Sequence, residues 1–208
     1  MFVSEKNALA AKVACADPYD TIMALVRENL PPSSFRETGS MEVPSWLRPL
    51  PTGDPASPLS VEAFVKFIDA GGCRNWAEEV GKAVAAILPD IPCLIGIDHS
   101  LSAGAVQAIS KFYSPGDLTL LVLDSHTDAI STGVMEDLVA YDIENNPESI
   151  HDPEDPFLKG RPESFNASTF LLFLIEEGII LPEKLFILGP SDLPPKKAQR
   201  IKNRRVQR

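Results

Sequence analysis

One short segment limits the possible folds of this chain more than any other: Leu118-Thr-Leu-Leu-Val-Leu123, stopped abruptly by Asp124-Ser-His126-Thr-Asp128. The run follows a Ser114-Pro-Gly-Asp turn, has the length of a strand rather than a helix, and is apolar on both alternating faces. Such a strand fits burial in a parallel sheet better than a position with one face in water. Two further runs, Ile91–Gly96 and Lys184–Gly189, have the same character. Between and before them the sequence predicts helices over about Ser60–Ala70, Asn75–Leu88, Ala103–Tyr113 and Ala167–Glu177, with Ser60 as an N-cap and Gly71-Gly72 as a break. Strands alternating with helices imply parallel pairing through crossovers, hence an α/β three-layer sandwich with a mostly parallel sheet.

The amino-terminal part reads differently. Asn7–Ala16 and Asp20–Leu30 are short helical candidates, and from Pro31 to Pro58 seven prolines delete backbone donors and argue for a surface loop or linker. The expected division is a helical, proline-rich segment over 1–59 and a partial α/β domain over 60–208. Ile130 to Phe165 lacks clear periodicity and reads as a long loop.

In α/β sheets ligands bind beyond the carboxyl ends of strands. Two runs end in residues that carry chemistry, Asp98-His99 after the first and Asp124, His126 and Asp128 after the second. In extended chain, alternation would send Asp124, His126 and Asp128 to one side. Two carboxylates with imidazole nitrogens form a mixed donor set that suits Mn²⁺, Fe²⁺ or Zn²⁺ better than Ca²⁺. The plainer alternative is that the histidines cap strand ends and the aspartates start turns.

The two strand ends also carry a resemblance. Gly96-Ile-Asp98-His99-Ser100 resembles the Gly-Gly-Asp-His-Ser motif of the ureohydrolases, the arginase and agmatinase family, and Asp124-Ser-His126-Thr-Asp128 resembles their Asp-Ala-His-x-Asp motif. The resemblance implies an arginase-like fold and a binuclear Mn²⁺ hydrolase acting on a linear guanidino or amidine C–N bond. His99, Asp124 and Asp128 would hold one ion, and His126 with a bridging oxygen of Asp124 the other. Asp128 and His126 would also serve catalysis, and Asp98 would orient His99 or its loop. Many relatives carry a proton-shuttling histidine just before the helix at Ala167–Glu177; here Asn166 stands nearby as a substrate-binding candidate, and His151 is the nearest substitute shuttle. A later Asp-x-Asp motif supplies further ligands in that family, whereas no Asp-x-Asp occurs in these 208 residues. The chain therefore resembles the amino-terminal part of such an enzyme and reads as truncated. Two rival readings are an inactive arginase-fold binding or regulatory protein and a single-metal deacetylase-like enzyme.

Charge narrows the partners. Acidic residues outnumber basic ones by 29 to 19, giving a net charge of −10, which disfavours nucleic acid and anionic membrane and favours a cationic ligand. The basic run Lys196–Arg205 reads as a solvated helix or frayed end. Cys15, Cys73 and Cys93 have no metal-ligand spacing and read as reduced core residues. With no apolar run of roughly 18 residues, a cytoplasmic location is the expectation. A homo-oligomer remains open.

Overall fold

The computed structural model describes residues 18–41, 61–96 and 98–190. The helix expected over Asn7–Ala16, most of the proline-rich stretch with Ser60, Asp192 and the basic run Lys196–Arg205 lie outside the described residues. Contacts divide the chain into two compact units. The first holds 18–41, 61–64 and 93–96, and the second holds 65–92 and 98–190.

In the first unit, helix α1 (Pro18–Asn29) starts on a proline, which sacrifices only an N–H that a first turn leaves unused. Met23 is buried, and Glu37 accepts from Tyr19 (2.7 Å) and pairs with Arg27. Those two donors, Tyr19 first, hold the Glu37 carboxyl below its ordinary range.

The strand expected at Ile91–Gly96 does not form. Pro92, the second residue of the run, removes a ladder donor. Ile91 is 95% exposed, Leu94 is exposed as well, and Cys93, expected in a core, faces solvent.

Helix α2 (Val61–Asp69) ends at Gly71, whose φ of +81° suits glycine, and α3 (Gly72–Ala85) begins at once. The glycine pair thus both stops one helix and opens the next, three residues ahead of the expected start at Asn75. In the second unit α3 crosses α4 (Ser102–Tyr113), with Val80, Val84 and Ala108 buried between them and Leu88, Leu101, Ala105 and Ile109 packed around. Cys73 is buried here, and burial pushes its thiol up to about 12, which makes it inert.

Strand β1 (Leu120–Leu123) follows, then α5 (Thr132–Asn145), α6 (Phe170–Glu176) and β2 (Leu185–Leu188). β1 and β2 pair in parallel, Leu120 opposite Leu185 and Leu123 opposite Leu188, with helices in the connection, which is the α/β arrangement with a parallel sheet that the alternation of elements implies. Among the described residues the sheet has two strands. Burial is one-sided, contrary to expectation: Val122 is buried, while Leu121, Leu123, Phe186 and Leu188 are exposed on the other face. The stretch read as a long loop contains α5, capped by Ser131, whose Oγ accepts from Val134 N (3.3 Å). No helix among the described residues is long and apolar enough to cross a membrane.

The loop after α5 is tied to α2. Arg161 donates to Asp69 (2.8 Å), Ser164 Oγ donates to the same carboxylate oxygen (2.7 Å), and Arg161 N donates to Glu136 of α5 (3.0 Å). Burial alone would raise the Asp69 carboxyl, but the hydrogen bonds from Arg161 and Ser164 outweigh it and hold the group below its ordinary value of 3.8. A carboxyl lowered in the folded state contributes stability that is present above that ordinary value and is lost as pH falls through the lowered one. Between pH 6 and pH 3 the wild-type chain is therefore expected to lose about 1 kcal/mol more than Asp69→Asn, as befits a partly exposed pair. Denaturant midpoints at the two pH values check it, and equal losses would show that the pair contributes nothing.

Candidate metal centre

The site is built where β1 ends. Asp124 N still donates to Leu188 O (3.2 Å), which extends the ladder by one residue. On β2 the next residue is Gly189 at φ +99°, where a Cβ would stand 3.1 Å from Asp124 O in a conformation that other residues rarely adopt. Glycine there keeps the end of β2 close to Asp124.

Past this point the chain is not extended, so strand alternation is not what gathers the carboxylates. Asp124 Oδ1 accepts from His126 N (2.7 Å), an Asx turn that bends the backbone away. Asp128 sits at φ +47°, a left-handed position that aspartate tolerates better than most residues. Its carbonyl accepts from Leu171 N (3.0 Å), and Ile130 N donates to Ser168 O (3.1 Å), so the loop is stapled to the first turn of α6.

His99 arrives from a 3₁₀ turn, His99–Leu101. Asp98 caps that turn by accepting from Ser100 N (2.9 Å) and Ser100 Oγ, and Ser100 is fully buried. Asp98 thus acts on the loop that carries His99.

His99 Nδ1 lies 2.6 Å from Asp128 Oδ2 and 3.2 Å from Asp124 Oδ2. One donor atom from each of the three residues falls within 4.8 Å of the others. The side chain of Asp128 is 8% exposed, that of Asp124 25% and that of His99 35%. His126 stands outside this trio with a ring 68% exposed, its Nδ1 3.3 Å from Asp124 Oδ1. The two oxygens of Asp124 are therefore divided between the two histidines.

A carboxylate can only accept, so the 2.6 Å contact is an Nδ1–H of His99 donating to Asp128. That hydrogen bond, opposed by burial and aided by the charges of Asp128, Asp124 and Asp98, raises the His99 pKa above 6.5. Asp124 is held below 3.8, first by the His126 backbone N–H, against burial, and then by His99 and His126. A nearly buried carboxylate, a second carboxylate and an imidazole converging on one point are a donor set that fits a divalent transition ion.

The remaining sequence candidates are Asn166 and His151. Asn166 spends its side-chain amide on its own turn, donating to Ser164 O (2.9 Å) and accepting from Ser168 N (2.8 Å). His151 lies in the turn after α5, where its backbone N–H donates to Ser149 Oγ. The sequence reading passed over Phe170, whose ring packs on His99 at 4.9 Å between centroids, because an apolar residue opening a helix reads as ordinary core.

The sequence profile of the Arginase family matches residues 37–208. An arginase of Staphylococcus aureus strain MRSA252 is 26% identical over 159 residues, covering 73% of this chain and 46% of its own length. That of strain COL is 27% identical over 157 residues, covering 72% and 45% respectively. The chain spans about half the length of the curated relatives it matches. No solved structure matches it. With a family profile that extends over most of the sequence and includes both strand-end motifs, this chain belongs to the arginase family.

Proposed function

We propose that this chain carries the first set of ligands of a Mn²⁺-dependent hydrolase that cleaves a linear guanidino or amidine C–N bond. The observation that carries the reading is the division of Asp124. Its Oδ2 faces His99 and Asp128, while its Oδ1 faces His126. One carboxylate between two imidazoles suits a pair of ions, with His99, Asp124 and Asp128 as ligands of one and His126 with Asp124 as ligands of the other. A bound pair of such ions supplies a water acidic enough to serve as hydroxide near neutral pH.

The protein's own residues do the rest. Asp128, stapled to α6 by its backbone, keeps a carboxylate in place where water is largely excluded. His126 keeps its ring in solvent with Nδ1 beside Asp124, which suits ligation or proton exchange. A net charge of −10 favours the approach of a cationic guanidino substrate.

Calorimetric titration of the full chain with Mn²⁺, followed by assay of urea release from arginine and agmatine, tests the reading. The expected result is saturable binding of at least one ion per chain and slow turnover, since no Asp-x-Asp ligand pair occurs in the sequence. Absence of saturable binding refutes the metal reading. Binding without turnover on any guanidino or amidine compound favours the second reading, an arginase-fold binding protein, to which the tied amide of Asn166 also points.

A further inference from the structure

The first turn of α6 touches both sides of the ligand trio. Phe170 is 1% exposed, and its ring lies 4.9 Å from that of His99 with the planes 56° apart. One residue further on, Leu171 N holds the carbonyl of Asp128 at 3.0 Å. The turn is itself anchored, because Phe170 N donates to Asn166 O (3.0 Å), Thr169 Oγ1 donates to Ser164 O (2.8 Å), and Leu171 and Leu174 are fully buried. The hydrogen bond to Asp128 fixes one edge of the imidazole but leaves rotation about that edge. A packed aromatic neighbour restricts such rotation.

We propose that Phe170 is a positioning residue for the cation site: it sets the plane of His99 while the adjacent Leu171 amide sets the Asp128 loop, so that one helical turn fixes the spacing of two ligands. The inference rests on the metal reading of the trio for its first measurement below and is independent of it for the second. Ring removal then loosens the site, whereas an equally deep cut elsewhere in the same helix only destabilises the fold. Leu174, fully buried on α6, provides that comparison.

The experiment uses the full chain as wild type, Phe170→Leu, Phe170→Met, Phe170→Tyr and Leu174→Ala. Mn²⁺ affinity is measured by calorimetry at a temperature where circular dichroism shows each variant folded. Both ring-removing variants are expected to bind Mn²⁺ about 10-fold more weakly, at the low end for groups that support a metal ligand. Phe170→Tyr is expected to retain the affinity, and Leu174→Ala to melt earlier with its affinity unchanged. The second measurement follows the His99 Nδ1–H resonance of the metal-free chain at fixed pH. Its protection from exchange with water is expected to be lost in Phe170→Leu and Phe170→Met and kept in Phe170→Tyr and Leu174→Ala. If the wild type takes up no Mn²⁺, the metal reading falls and the proton resonance alone decides the role of Phe170. If Phe170→Leu does not fold, Phe170→Met decides. Equal effects of the ring-removing variants and Leu174→Ala, or no effect of ring removal on either readout, overturns the proposal.

Discussion

Asp128→Asn is expected to weaken Mn²⁺ binding by about 100-fold or more, because groups that merely support a ligand already cost about 10 to 100-fold and the proposed role of Asp128 is that of a ligand. Asparagine matches aspartate in size and also tolerates the left-handed backbone at φ +47°, so the loop keeps its shape and only the charge is removed. At an ion concentration 100 times the native dissociation constant, binding stabilises the folded wild type by about 2.7 kcal/mol. With the constant raised 100-fold, the same concentration gives the variant only about 0.4 kcal/mol. Without metal the change is small, because the asparagine oxygen can still accept from His99 Nδ1–H and the loss is that of a charge-assisted bond becoming a neutral one, about 1 kcal/mol. Thermal melts of both proteins with and without Mn²⁺ separate these contributions. Equal Mn²⁺ increments in the two would make the cluster structural and end the metal reading.

Much of the candidate site was legible in the sequence because the side chains that could hold an ion are chemically conspicuous and sit beside turn residues. His99, Asp124 and Asp128 come together, whereas His126, expected with them, stands outside the trio, and alternation along a strand is not what gathers the carboxylates. Asp124 to Asp128 is a turned segment held by an Asx bond and a left-handed aspartate. Backbone geometry of that kind leaves no periodic trace. The helices with one apolar stripe, α3 and α4, were found within three residues of their starts. Helix α5 was missed although Val134, Leu138 and Met135, Val139, Ile143 recur at helical spacing, and in the structure none of its residues is buried. Ile91–Gly96 failed in the opposite direction: an apolar run resembles a strand even when it carries a proline at its second position and, among the described residues, pairs with no neighbour, with Ile91 left in water. The structural importance of Phe170 and Gly189 depends on what each touches, His99 in one case and Asp124 in the other, and neither contact is local in sequence.

Helix propensity and packing make opposite predictions for Gly104→Ala, and packing is expected to win. Alanine is favoured over glycine inside a helix by about 1 kcal/mol. At Gly104, however, an added Cβ would lie 1.7 Å from Ala77 O, 2.6 Å from Ala77 C and 2.9 Å from Gly81 N, all backbone atoms of α3. No rotamer change relieves a collision with backbone, so α3 and α4 must move apart until the closest contact reaches at least 3.0 Å. Separation opens the layer of Val80, Val84 and Ala108 that holds the pair together. Forced overpacking of this kind costs about 3 kcal/mol, the upper end of its usual range. Subtracting the propensity gain leaves a net loss of about 2 kcal/mol, or roughly 4 to 8 °C in melting temperature for a chain of this size. Gly116→Ala is the matched control, since nothing lies within 4 Å of a Cβ there, and its melting temperature is expected to stay close to that of the wild type. The loss should also reach the candidate metal centre. The 3₁₀ turn that carries His99 packs against both α3 and α4, so parting the helices shifts His99 relative to Asp128. Gly104→Ala is therefore expected to lower Mn²⁺ affinity as well as the melting temperature. A variant that melts earlier yet binds Mn²⁺ as the wild type does would show that the His99 turn is held by the strand ends and α6 rather than by the helix crossing.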